Sequence, residues 1–529
     1  MGVPTSTALA LAVAYVLCGG ILYCLIIAGY RLFGHPLRTY PGPVLSAISD
    51  AYGGYLAYMR NDHLAIYQMH QRYGSVVRFA PDRLVFNSLR AFQDIYQNPR
   101  VTKSYLYLYS RDENFPTTFS TIEADAHRDR RKFISQPISQ RAMRLFEPSM
   151  LEQVDIYLRQ IYASSGSIED MTNRAEWLGI DIVGLIAFGY RLNLQTDETY
   201  RFISKDFEDL KAIINTFMQF PSASILNPVV SYLNSHKRER LRKVIFRMMV
   251  ARAAREKDAE RDFYSYVKGN LDYGPDYIDK GNFIAEAAFF VTAGGTPPAT
   301  VICGLFFYLM RYPGCYERLV KEIRCSFRSG SDIKGDAQLM GCEYLRACID
   351  ETLRMSPPSL TTLWREHDKD DKDESPLVVD GIVIPPGTQV GINMYSLHHN
   401  EEYFPDSYTF SPDRWLHPKL PETPEKEAAR IKMQEAFVPF LQGTRSCAGK
   451  AMAYTEVSMV VAKTLWYFNI ESAPGKLGDL GEGAPGRTDG RHRVNEYQMY
   501  DCNSAAHKGP NLIFRPRSEA HTDLSTNKS

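Results

Sequence analysis

The chain has 529 residues, with 61 Lys and Arg against 61 Asp and Glu and a formal net charge of +0. That balance, with no basic block, excludes a surface built for nucleic acid or another polyanion, and nine scattered cysteines without a CxxC pair argue against a disulfide framework or a zinc site. Length alone allows roughly three domains, yet no Pro/Gly/Ser-rich linker divides the chain, so one large domain is equally compatible.

From the N-terminus, no charged side chain occurs between Met1 and Tyr30, and Ala8 to Gly29 is almost wholly apolar. About 20 apolar residues cross a hydrocarbon core of about 30 Å, so residues 1–33 are expected to form one transmembrane anchor. A secretory signal would need a basic n-region and a shorter apolar core. Arg31 and Arg38 follow the span, which places the rest of the chain on the cytosolic side. "TYPGP", Thr39 to Pro43, reads as a stiff elbow within 34–44, because proline fixes φ and bars helix continuation.

Beyond the elbow the pattern is mainly helical, with a strand-rich stretch near each end. "SVVRFAPDRLVFN" (75–87) and "SPLVVDGIVIPPGTQVGINMY" (375–395) alternate and turn like hairpins. Helical periodicity is clearest over Asn282–Leu309, Gly314–Phe327 and Glu343–Met355. Pro297 and Pro298 fall inside the first of these and predict a kink or an opened turn. The run "EHDKDDKDES" (366–375) reads as a solvated hairpin tip, 421–436 as a surface excursion, and 517–529 as a disordered tail.

Near the C-terminal end, "AFVPFLQGTRSCAGKAMAY" (436–454) sets Cys447 among glycines and an arginine ahead of a helical stretch. Gly443 and Gly449 permit close backbone approach, while Arg445 and the helix N-terminus near Ala448 put positive potential beside the sulfur. Those conditions favour a thiolate. With no second cysteine or histidine nearby it is a poor zinc site, but it suits a metal that brings its other ligands, as haem iron does. A buried structural cysteine is the alternative.

"FLQGTRSCAG" has the form FxxGxRxCxG, with Phe440, Gly443, Arg445, Cys447 and Gly449 at the fixed positions, and so resembles the haem-binding loop of the cytochrome P-450 superfamily. "ETLR", Glu351 to Arg354, resembles the family's ExxR, and "FSPDRW", Phe410 to Trp415, the segment that supplies a second arginine, Arg414. Glu351 and Arg354 stand i,i+3 on one helix face and can pair. The resemblance implies a mainly α protein with small β-sheets, the cytochrome P-450 fold over 45–516, and haem b (iron protoporphyrin IX) with the Cys447 thiolate as its axial ligand. "ADAHRDRRKF" (124–133) looks like the family's segment in which His127 and Arg131 reach the haem propionates. Arg365 and Arg445 look like the remaining propionate partners, and Lys132, Arg144 and Lys450 like a basic face for an acidic electron donor.

In "FFVTAGGTPPAT" (289–300) the family pattern AGx[DE]T[TS] is met by Ala293 and Gly294. Thr296 stands at the acid position and Pro297 and Pro298 at the hydroxyl positions, so the usual acid and threonine of the relay are missing, what takes their place stays open, and Ala293, Gly294 and Thr296 form the expected catalytic set. Pocket walls are implied in 104–120, 216–226, 289–294 and 358–363, where aromatic side chains favour an apolar, aromatic or polycyclic guest. The YPGP elbow and "HHNEEYFPDSYTFSPDRWL" resemble microsomal fungal members that tailor secondary metabolites. That likeness implies a single-pass protein of the endoplasmic reticulum membrane, in contact with membrane lipid and with a cytosolic catalytic domain. Its electrons would come from NADPH through cytochrome P-450 reductase. Hydroxylation, epoxidation and oxidative coupling or cyclisation all stay open. A reductase-independent isomerase or dehydratase acting on a peroxide, and a haem receptor without turnover, are the other readings.

Overall fold

A computed structural model describes residues 5–110, 116–135, 140–256, 262–263, 265, 282–418, 421–518 and 523–524. Residues 111–115 of the expected pocket wall, and most of the tail expected to be disordered, lie outside the described residues.

The first helix, Thr5–Gly29, has its leucines, valines, Ile21 and Ile26 exposed, and it runs on through a wide turn at Tyr30–Gly34. It is long and apolar enough to cross a membrane. The elbow that follows is clamped to the first strand. Arg78 N–H donates to Pro41 O at 2.8 Å, the Arg78 guanidinium donates to Arg31 O at 2.9 Å, and a Cβ on Gly42 would stand 2.5 Å from Arg78 O.

Strands β1 (Val76–Ala80) and β2 (Arg83–Phe86) form the expected first hairpin, with Val77 opposite Val85. They belong to a five-stranded sheet of order β1-β2-β8-β5-β3, completed by β3 (Val101–Lys103), β5 (Arg365–His367) and β8 (Gln389–Ile392). The second expected hairpin is only half of what 375–395 forms. β6 (Val378–Val379) and β7 (Ile382–Val383) turn tightly through Asp380 and Gly381, whose φ of 50° and 74° suit a two-residue hairpin loop. The second turn instead sends the chain into β8, which is buried at every residue and pairs parallel with β2. A smaller sheet of order β4-β12-β9 joins Ile168–Asp170, Asn511–Pro516 and Phe468–Ser472, and β10 (Met499–Tyr500) pairs with β11 (Ala506–His507).

The helices at 282–311 and 343–355 follow the expected periodicity, the first reaching Arg311 and the second matching Glu343–Met355. The 282–311 helix runs through the main core, where Ile302, Leu305 and Phe306 meet residues of the 140–163, 343–355 and 450–467 helices. Its contact with the helix Met171–Phe188 is set by glycine, since a Cβ on Gly179 would stand 2.2 Å from Gly295 O and one on Gly294 would stand 2.7 Å from Val183 Cγ2. The opened turn expected at Pro297 and Pro298 is not there: the helix is unbroken from Asn282 to Arg311. Close packing holds this turn from outside, and Thr296 and Thr300 donate back to Thr292 O at 3.1 Å and Thr296 O at 3.2 Å along it.

The segment 421–436 lies mostly exposed at the surface, as expected, and it does so as a helix. Pro424–Ala436 is a helix, capped by Thr423 Oγ1 accepting from Lys426 N, with Met433 and Ala436 buried. The acidic run 366–375 starts inside β5 and is then tied down by Arg100, which lies 2.6 Å from Asp371 and 3.2 Å from Asp373.

Candidate haem site

The loop that carries Cys447 is built from backbone constraints. Val438 N–H donates to His398 Nε2 at 3.1 Å, and Cys447 N–H donates to Phe440 O at 2.8 Å, closing the loop on itself. Leu441 and Gly443 both take left-handed φ, 55° and 74°. At Gly443 a Cβ would also stand 2.4 Å from Tyr96 O, so glycine is required twice over, by φ and by space. Nothing lies within 4 Å of a Cβ built on Gly449. Gly443→Ala is therefore expected to destabilise the loop by about 1–3 kcal/mol from backbone strain, with a further loss from overlap, measured as a fall in bound haem per folded protein. Gly449→Ala meets no protein atom, so any loss of haem from that variant reports on the bound group itself.

Cys447 is accessible to solvent by its surface, yet burial is the largest influence on its thiol, which is pushed up. Accessible and enclosed together describe a side chain that faces an internal space. Against burial act the Gly449 and Lys450 amides at the start of the 450–467 helix and the charges of Arg131 and Lys450. Arg131 Nη1 donates to Ser446 O at 2.6 Å. The positive potential expected from Arg445 comes instead from Arg131 and Lys450, because the Arg445 guanidinium turns toward Ile122 O, 2.7 Å, and Thr121 O, 3.2 Å. Burial thus works against the thiolate here, and a bound metal ion is what would hold it.

Arg445 belongs to a buried cationic cluster. Arg365, on β5, donates to Tyr107 OH at 2.9 Å, and Lys103, on β3, donates to Thr118 O at 2.8 Å and Phe119 O at 2.7 Å. With Arg131 they surround His127, whose imidazole is driven down to about 2 by burial and then by Lys103 and Arg445. Lys103 is pushed well below its ordinary value by burial, then by Arg445 and Arg365, and Arg445 falls to about 10 by burial and then Arg365. One nearby carboxylate, Glu286 on the 282–311 helix, accepts from Thr118 N–H at 2.6 Å and lies 3.4 Å from Arg130 Nη1. Asp368 and Glu123 also act on Arg445, and the guanidinium forks of Arg131, Arg365 and Arg445, gathered in one enclosed region, fit a ligand with carboxylates. Lys103 is absent from the sequence-based set. Lys132, Arg144 and Lys450 are exposed.

On the 282–311 helix, Ala293 is exposed although the helix around it is core, and Pro297, one turn on, is half-buried. Gly294 lies against Val183 instead. Thr296 is 6% exposed, and its hydroxyl meets Lys211 Nζ at 3.2 Å and Ser504 Oγ at 3.1 Å. Neither Lys211 nor Ser504 is signalled by a motif.

Behind the loop, Glu351 and Arg354 are both wholly buried. Arg354 Nη2 and Nε lie 2.9 Å from the two Glu351 oxygens, and Arg414 Nε lies 3.0 Å from Oε1. Trp415 Nε1 at 2.9 Å and Ser411 N–H at 3.0 Å complete the shell of Glu351. Burial raises this carboxyl, but Arg354 and Arg414 outweigh it and the net displacement is downward.

Among known proteins, the chain is similar to the cytochrome P450 monooxygenase poxM of Penicillium oxalicum, 31% identical over 519 residues and 93% of each chain. It is also similar to AKT7 of Alternaria alternata, 31% identical over 529 residues, 96% of this chain and 99% of that one. A third relative is atnE of Emericella nidulans, 28% identical over 516 residues, 92% of this chain and 93% of its own. The Cytochrome P450 family model matches residues 52–479, which include the buried Glu351–Arg354 pair and the whole cysteine loop, and so the chain belongs to the cytochrome P450 family.

Proposed function

We propose that this chain is a haem-thiolate monooxygenase of the endoplasmic reticulum membrane that oxidises a small, largely apolar secondary metabolite. Dioxygen is the oxidant, and electrons come from NADPH through cytochrome P-450 reductase. The observation that carries this reading is Cys447, enclosed yet accessible, at the end of a loop fixed by its own backbone. In this reading the accessible surfaces of Cys447 and Ala293 are two faces of one haem slot. Cys447 ligates the iron of haem b, Phe440, Gly443 and Gly449 shape the loop beside it, and Arg365, Arg445, Arg131, His127 and Lys103 take the propionates. Haem bound through a thiolate supplies dioxygen activation and O–O cleavage.

The chain's own residues do the rest. The cation cluster fixes the cofactor's orientation, and its enclosure keeps those charge-assisted bonds strong. Ala293 leaves room above the slot, Gly294 keeps the helix close to its neighbour, and the Thr296 hydroxyl, which rests on Thr292 O beside Ser504 and Lys211, would turn from that bond to move a proton. Thr296→Ala is expected to raise hydrogen peroxide released per NADPH several-fold while leaving the haem spectrum unchanged. Unaltered coupling would remove Thr296 from the relay.

Residues 1–33 serve as the anchor, 34–44 as the elbow and 45–516 as the catalytic domain, with the remaining residues a tail. An exposed apolar patch on the folded body supports this placement. Ile225, Tyr232 and Leu233 are 83%, 79% and 72% exposed, and Val44, Leu45 and Tyr58 lie in the adjoining 44–58 helices. The two patches are tied by Ser222 N–H and Oγ donating to Asp50 Oδ2 at 3.1 and 2.9 Å. A chain lacking residues 1–33 should therefore still sediment with microsomes and need detergent, not salt, for release. Protease added to intact microsomes carrying the full chain should digest the domain; protection would reverse the orientation. The exposed Lys132, Arg144 and Lys450 offer the face for the reductase.

The decisive experiment reconstitutes the chain with reductase, NADPH and labelled dioxygen. Label in the product, or NADPH- and oxygen-dependent loss of hydrogen from it, supports the reading. Turnover of a peroxide with no reductase present would replace it with the isomerase or dehydratase alternative.

A further inference from the structure

Lys211 lies midway along the helix Phe202–Gln219, and its ammonium crosses to the 282–311 helix, 3.2 Å from Thr296 Oγ1 and 2.7 Å from Ser504 Oγ. Both partners are neutral. Among the described residues no carboxylate lies within ion-pairing distance of Lys211. Glu208, one turn away on the chain, is engaged by Arg60 at 2.5 Å and by Lys205 at 3.3 Å. Glu176, across on the 171–188 helix, acts on Lys211 only from farther off, and burial pushes its own carboxyl up to about 7. The Cys502 thiol, also nearby, is raised to about 11 by burial and so is neutral. An enclosed ammonium normally has a counter-charge. Two hydroxyl partners use two of its three N–H groups and leave the third for a ligand.

Its position gives that third donor a use. Thr296 is three residues beyond Ala293, which places it about 60° around the helix and about 4.5 Å along it. Lys211 thus stands at the edge of the face that Ala293 leaves open. Like Cys447, it keeps accessible surface although burial dominates its surroundings. Asn215, one turn along the same helix and on the same face, is wholly buried with its Nδ2 unpartnered among the described residues. Thr361 links Asn215 to Asp501, whose carboxyl burial raises to about 6 beside Asp62. Those acids lie on the Asn215 side, so an anion is best placed at Lys211, with Asn215 giving a flanking amide.

We propose that Lys211, flanked by Asn215, is a carboxylate-binding subsite: the substrate is an apolar molecule with one carboxylate, held toward the 202–219 helix while the carbon to be oxidised lies over Ala293. This rests on the haem-thiolate reading and deepens it.

The test uses the detergent-solubilised holoenzyme and three acids, dodecanoate, 4-biphenylacetate and indole-3-acetate, each paired with its methyl ester. Dissociation constants come from Soret titration and, in parallel, from calorimetry. At least one acid should bind about tenfold or more tightly than its ester, as a charged hydrogen bond allows. Lys211→Met should abolish that preference without weakening the ester, and Lys211→Arg should retain it. If no acid is preferred over its ester, or if the preference survives in Lys211→Met, the subsite is wrong. The reduced carbon-monoxide spectrum of the same preparations keeps the two readings apart. A thiolate-type spectrum without acid preference overturns the subsite alone, whereas a missing thiolate spectrum overturns both.

Discussion

Cys447→Ala is expected to abolish the strongly red-shifted Soret band of the reduced, carbon-monoxide-bound protein, and with it all NADPH-dependent product formation. The loop does not need the thiol to keep its shape. Its constraints are the Cys447 N–H to Phe440 O bond, the Val438 N–H to His398 Nε2 bond and the left-handed residues Leu441 and Gly443, none of which uses the Cys447 side chain. Circular dichroism and solubility should therefore stay near those of the unaltered protein while the spectrum changes completely. Among the described residues no cluster of His, Cys, Asp and Glu offers another metal site. His127, the imidazole in the cation cluster, is held neutral by burial and by Lys103, and it stands among the groups that would take the propionates. An unchanged spectrum in Cys447→Ala would end the ligand assignment outright.

Removing either partner of the Glu351–Arg354 pair is expected to lower stability by about 3–5 kcal/mol, the cost of leaving a buried charge unpaired. The consequence should reach the cysteine loop. Arg354 Nη1 donates to His398 O at 2.9 Å and Ser407 O at 2.8 Å, and His398 in turn accepts from Val438 N–H at the loop's entrance. Glu351→Ala leaves both Arg354 and Arg414 facing one another without their shared acceptor. Arg354→Lys should not rescue, because a single ammonium cannot span two carboxylate oxygens and two carbonyls at once. Urea unfolding gives the stability, and haem content after purification gives the effect on the loop. The pH dependence follows from the depressed carboxyl. Its stabilising contribution is complete above the ordinary value of 4.5 and is lost as pH falls through the lower folded value. Glu351→Gln should be less stable at neutral pH and should lack that component of the acid-induced loss. Equal stability of the variant and the unaltered chain at pH 7 would show that the pair contributes nothing.

Local spacing made part of this protein legible and left part of it silent. The 343–355 helix is readable because its apolar residues repeat at the helical period and its polar face carries Glu351 and Arg354 at i,i+3. The cysteine loop is readable because its fixed positions fall within ten residues of chain. The cation cluster is assembled from β3, the 124–135 helix, β5 and the loop itself, and Lys103 in a three-residue strand looks like any solvated lysine until that strand is seen to be buried. Lys211 is silent for the same reason, one lysine in an amphipathic helix. The course of the 282–311 helix through Pro297 and Pro298 was not legible either, since what holds the turn is tertiary. Gly179, more than a hundred residues earlier, lets the neighbouring helix press against Gly295. The second turn of 375–395 was misleading because a Pro-Gly pair marks a change of direction without saying which strand the chain will meet next.

The clamp between the elbow and β1 has a mechanical consequence. Ten flexible residues between a membrane helix and a soluble body would let that body wander over a reach of about 15–20 Å. Here Pro41, Gly42 and Arg31 are all held to Arg78, and Arg31 Nη1 also donates to Ile48 O at 2.5 Å. The link is therefore a bracket, and in the proposed membrane placement the tilt of the Thr5–Gly29 helix is transmitted to the body as an angle. Bilayer thickness, by changing that tilt, would rotate the whole enzyme relative to the membrane plane, and a few Gly-Ser residues inserted at Tyr40 would cut that mechanical coupling while leaving both of its ends intact.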